Sequence, residues 1–68
     1  MDLEIAKQRL QRELVATNNH SILEKTVYKM FKNGLTSSEI GNMLNELESQ
    51  NFIRRSSFHN KNYIHLVN

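Results

Sequence analysis

The chain has 68 residues, 26 of them hydrophobic, and no cysteine, tryptophan or proline. Nine Lys/Arg stand against seven Asp/Glu, a formal net charge of +2 that permits a nucleic-acid partner without demanding one. These counts exclude a disulfide framework, a thiolate nucleophile and a cysteine-containing zinc site.

The chain opens Met1-Asp2-Leu3-Glu4, with acid where a signal peptide needs base. No apolar run is long enough to span a bilayer, so a cytoplasmic protein with no membrane contact is expected. From Asp2 to Thr17, Leu3, Ala6, Leu10 and Leu14 recur at three- and four-residue steps and mark one side of a helix. Asp2 and Glu4 suit the positive end of its dipole. Such a narrow stripe serves either packing within the domain or a two-helix seam. Leu3, Leu10 and Leu14 are therefore candidate self-association residues. Ile5 and Val15 lie off the stripe.

Asn18-Asn19 breaks the pattern, and His20 to Asn33 reads as a second helix. Leu23, Val27, Met30 and Phe31 form its inward face, and Lys25, Lys29 and Lys32 fall opposite. The lysine stripe is either a solvated face or a source of phosphate contacts. Asn33-Gly34 reads as the stop, with Gly34 expected in the left-handed region. Thr36-Ser37-Ser38-Glu39 is a capping box that opens a third helix. Ile40, Met43, Leu44 and Leu47 continue it, and Asn51 is its expected end cap. Ser38, Asn42, Asn45 and Ser49 occupy its polar side. Small amides and hydroxyls reach base edges and phosphates, whereas an ordinary solvated helix face favours Lys, Glu and Arg. This helix carries Glu39, Glu46 and Glu48 and no cation between Thr36 and Gln50, so it is net −3 and the rest of the chain net +5.

The tail changes period. Phe52 to Phe58 and Tyr63 to Val67 lean toward strand, and His59-Asn60-Lys61-Asn62 between them is rich in turn formers, so a β-hairpin is expected. Arg54 and Arg55 alternate to opposite sides of it. Each is a charged strand position that blocks edge pairing or a contact for DNA phosphates, as is Lys61. Phe58 and Tyr63 are candidate anchors for a protein partner. The expected class is α+β, mainly α: three helices followed by a C-terminal hairpin, in a single domain over residues 1–68.

Leu35-Thr36, Glu39-Ile40, Leu44 with Leu47, Phe52-Ile53-Arg54-Arg55 and Tyr63-Ile64-His65-Leu66 together resemble the winged-helix (winged helix-turn-helix) family of DNA-binding domains. In that family a short segment pairs with the hairpin, and Leu35 is placed to supply it. Two helices then precede the wing, whereas Thr36 to Asn51 has room for one. The chain is thus similar to a reduced variant, or its middle segment stands in for the missing helix. Asn51 stands where the family usually has Gly. The resemblance implies a small DNA-binding transcriptional regulator, of the kind carried by phages or mobile elements, acting on double-stranded DNA as a homodimer. Ser38, Asn42 and Asn45 would face the major groove, with Arg54, Arg55, Lys61, Lys25 and Lys29 supplying backbone contacts. The second reading is a protein-interaction module, an inhibitor or adaptor of a larger regulator or polymerase. It rests on the three glutamates of the third helix. Neither reading calls for catalysis, a small-molecule substrate, a metal or a cofactor. The spacing of His20, His59 and His65 matches no ligand motif, and Gly34 and Gly41 match no nucleotide loop.

Overall fold

Asp2 starts the first helix by accepting a hydrogen bond from the Glu4 backbone N–H at 3.3 Å. The computed structural model describes residues 2–67. The element order is α1 (Leu3–Val15), β1 (Ser21–Leu23), α2 (Glu24–Phe31), α3 (Ser37–Ser49), β2 (Ile53–Phe58) and β3 (Lys61–Leu66). About half of the chain is helical. Strands β1 and β2 both pair antiparallel with β3, which gives the sheet order β1-β3-β2.

The expected hairpin therefore gains a third strand. Ser21-Ile22-Leu23 is not the first turn of a helix but an extended run opposite His65, Ile64 and Tyr63. Three features turn the chain into it. His20 sits at φ 55° and reverses direction. Its carbonyl accepts from the Leu66 N–H at 2.9 Å. The Thr17 hydroxyl donates to the Leu14 carbonyl at 2.8 Å and accepts from the Ser21 N–H at 3.0 Å, which ties the end of α1 to β1. Helix α2 then starts at Glu24, with no side-chain cap on its first amides. Leu35 does not pair with the hairpin; it packs half-buried against the core. Two helices, not one, lie between the third strand and the hairpin.

The helix ends follow from backbone chemistry. Thr36 accepts from the Glu39 N–H at 3.1 Å, and Glu39 accepts from the Thr36 N–H at 2.8 Å, the capping box the sequence spells. At the other end of α3, Asn51 adopts φ 60°. The Asn51 N–H donates to the Glu48 carbonyl and the Phe52 N–H to the Leu47 carbonyl, each at 3.0 Å. That pair of bonds is a Schellman motif, with Asn51 in the place glycine usually takes. Gly34, by contrast, does not use the left-handed region. Helix α2 is instead closed by the Gly34 and Leu35 amides, which both donate to the Phe31 carbonyl. His59 and Asn60 both have positive φ, so the hairpin loop is a two-residue turn of the type whose twist matches its strands.

All three helices lie on one face of the sheet. Ala6, Leu10 and Leu14 of α1, Val27 and Phe31 of α2, and Ile40, Met43, Leu44 and Leu47 of α3 meet Ile53 and Ile64 in one buried cluster. Cations of α1 lie over the faces of two aromatic rings in and beside it: Lys7 Nζ is 4.7 Å from the Phe52 ring centre and Arg9 Cζ 5.4 Å from that of Phe31. Leu10 and Leu14 are fully buried, so of the three stripe leucines only Leu3 reaches the surface, at 39% exposure. Leu10 and Leu14 are thus spent on packing within the domain, the first of the two readings of the stripe. Among the described residues no helix is long and apolar enough to cross a membrane.

Candidate nucleic-acid interface

Helix α3 buries Ile40, Met43, Leu44 and Leu47, and 100° per residue then puts Ser38, Asn42, Asn45 and Ser49 on the opposite side. All four are exposed. Gly41 is not part of that surface. It faces α2, where an added Cβ would lie 3.4 Å from the Tyr28 hydroxyl oxygen, an ordinary contact.

The hairpin brings Arg55 to this helix. Its register partner is the buried Ile64, so it lies on the inner face of the sheet, against α3. Arg55 Nη2 donates to Asn45 Oδ1 at 2.8 Å. Arg55 Nε is closed off from solvent 3.8 Å from Glu48 Oε1, too far for a hydrogen bond but close for opposite charges. With Oδ1 occupied, Asn45 presents its NH₂ group as the free edge. The guanidinium also offsets Glu48.

Arg55 offsets one of the three carboxylates of α3, and the other two stay ionised. Glu39 is committed to the helix start, where the Thr36 backbone N–H, and then the Thr36 hydroxyl, hold its carboxyl below the ordinary carboxylate range. Glu48 faces Arg55. Glu46 remains, on the edge of the polar stripe, accepting from Gln50 Nε2 at 3.2 Å.

Lys25 and Lys61, far apart in sequence, line one open cleft of about 420 Å³ between the start of α2 and the hairpin tip. Glu24, Asn60 and Asn62 line it too. Lys29 is exposed one turn further along α2. Asn42 borders a second groove, with Leu3, Leu35 and Met43, between the start of α1 and α3.

Arg54 is not brought to α3. It pairs in register with His65 on the outer face of the sheet, away from the helices. Phe58 and Tyr63 share that outer face, Phe58 at 63% exposure and Tyr63 half-buried. The candidate residues therefore divide into two surfaces: Ser38, Asn42 and Asn45 on α3, and Arg54, Phe58 and Tyr63 on the outer sheet. Sequence reasoning missed His65, which meets the Ser56 hydroxyl on the outer face. Strand alternation from buried Ile64 carries the signal: positions 61, 63 and 65 must share the other side.

No protein-family model matches the chain, and comparison with curated proteins finds no significant match.

Proposed function

We propose that the protein is a small DNA-binding regulator of winged-helix type, with α3 entering the major groove of double-stranded DNA. The observation that carries this reading is the order of elements. A short strand pairs with the hairpin, two helices follow it, and the hairpin comes last, with β3 in the centre of the sheet. The resemblance carried by Leu35 to Leu66 implies that order, and β1 supplies the segment that Leu35 does not.

Chemistry of the surface supports the same reading. A helix fits a major groove, and the side chains along the middle of the polar stripe of α3 are short, polar and uncharged, with Glu46 at its edge. Asn42 keeps both amide groups for an adenine edge. Asn45, with its oxygen held by Arg55, favours acceptors such as guanine O6 or N7. Lys25 and Lys61 converge in one cleft, and Lys29 follows them, so three cations serve the phosphate backbone.

Fluorescence anisotropy with a labelled mixed-sequence duplex tests this. Three phosphate contacts give a slope of log affinity against log salt of about −3. Binding that is absent at about 50 mM salt, or that shows no salt slope, overturns the proposal.

A further inference from the structure

Apart from Lys61, which also lines the cleft with Lys25, the outer face of the sheet takes no part in the duplex reading, yet it is not an ordinary solvated surface. Register puts Phe58 beside Lys61, Ser56 beside Tyr63, and Arg54 beside His65 on that side. Three rings follow one another across it. Tyr63 and His65 have ring centres 6.4 Å apart and planes tilted by 32°. Phe58 is diagonal to Tyr63, a spacing of about 7–8 Å between such positions. At 63% exposure it is the most exposed large hydrophobic side chain among the described residues. His59 packs edge-on against it, with ring centres 4.1 Å apart.

Charge frames the rings. Arg54 stands at one end of the face and Lys61 at the other, and neither has a carboxylate within ion-pair distance among the described residues. The charged side chains on these pairs, Arg54 and Lys61, are both basic, and His65 stands beside Arg54. A second copy of the chain laid on this face would bring cation against cation, which argues against self-association here. A neutral apolar partner would leave both cations unpaired.

We infer that the outer sheet face binds single-stranded nucleic acid, with Phe58, Tyr63 and His65 as base-stacking platforms and Arg54 and Lys61 as phosphate contacts. Unstacked bases offer flat π-faces to exposed aromatic rings, and the backbone that joins them supplies regularly spaced negative charge. An acidic protein segment matches the cations but not the row of rings. This site lies on the opposite side of the sheet from α3 and shares only Lys61 with the duplex proposal, so Phe58, Tyr63 and Arg54 test it separately.

The test uses the full chain and an oligothymidylate of about twelve nucleotides. The chain has no tryptophan, so emission from Tyr28 and Tyr63 is read directly. Stacking on Tyr63 quenches part of that emission. Phe58→Leu and Tyr63→Leu keep apolar bulk and remove the π-face, so folding is preserved while stacking is not; circular dichroism checks this. Each variant is expected to bind the oligonucleotide about tenfold more weakly, and Tyr63→Leu to lose the quenching. Arg54→Ala should flatten the salt slope by about 0.7. Affinity for duplex, measured in parallel, should stay within about twofold in the two leucine variants. The proposal is overturned if the oligonucleotide fails to bind at about 50 mM salt or if both leucine variants bind it as the parent does. Equal binding of a polyglutamate peptide of similar length also overturns it. Loss of duplex binding in Asn42→Ala/Asn45→Ala, with oligonucleotide binding intact, separates the two sites.

Discussion

Replacing Arg55 separates its structural role from a role in contacting DNA. In Arg55→Ala, the 2.8 Å hydrogen bond to Asn45 Oδ1 disappears, and Glu48 loses its neighbouring charge. Glu48 is 44% exposed, so solvent screens the ion pair and leaves it a few tenths of a kcal/mol. The hydrogen bond has a charged donor that is only 28% exposed, and the aliphatic stem covers the inner sheet. Together these contribute about 2 kcal/mol, with the charge-assisted bond the largest part. For a domain this small, that lowers Tm by about 8–16 °C. Thermal denaturation of Arg55→Ala, Asn45→Ala and the double variant closes a thermodynamic cycle. The expected coupling between the two positions is about 0.5–1.5 kcal/mol. Arg55→Lys should restore little of it, because an ammonium on a flexible stem does not reproduce the guanidinium fork. Additive effects, with coupling below about 0.3 kcal/mol, would refute the reasoning. The salt slope for duplex binding should be unchanged in Arg55→Ala, since the guanidinium is committed to α3.

Asn51 at φ 60° fixes the end of α3, so Asn51→Ala should cost about 1 kcal/mol and Asn51→Gly should raise the denaturation midpoint, both read by chemical denaturation. A gain on Asn51→Ala would contradict the Schellman geometry. Glu39 has its carboxyl held below the ordinary range in the folded state. Its stabilisation is therefore complete above the unfolded value and is lost as pH falls through the lowered one. Glu39→Gln should flatten this part of the acid limb of a urea-midpoint profile, and parallel acid limbs would count against it. Leu10→Ala opens the core and should destabilise by about 2–5 kcal/mol. That loss should be the same at every protein concentration, whereas a seam through Leu10 would make Tm depend on concentration.

Most helical features were legible because local chemistry sets them. The Thr36–Glu39 box and the stripe of Leu3, Ala6, Leu10 and Leu14 each need only neighbours in sequence. Asn51 could be read as an end cap because asparagine tolerates the left-handed region. The same reasoning misplaced Gly34, whose neighbouring amides found the Phe31 carbonyl without a positive φ. Strand β1 was hidden for a different reason. Three residues are too few to display a period of two, and Ile22 and Leu23 continue the apolar face of α2 if read as helix. What makes them a strand is the open edge of β3, whose paired residues lie 40 to 44 positions downstream. The division of the arginine pair was legible as alternation, but not its direction. Only the burial of Ile53 and Ile64 decides that Arg55 turns inward to Asn45 and Glu48, while Arg54 turns out beside His65. The convergence of Lys25 and Lys61 also depends on that third strand, which sets the start of α2 beside the hairpin tip.

An amide chemical-shift titration with a short mixed-sequence duplex tests most directly whether α3 is the DNA-reading element. The account predicts shift changes centred on Ser38, Asn42 and Asn45, joined by Lys25, Lys29 and Lys61 and weakening as salt rises. Shift changes confined to Arg54, Phe58, Tyr63 and His65, or none at low salt, would contradict it.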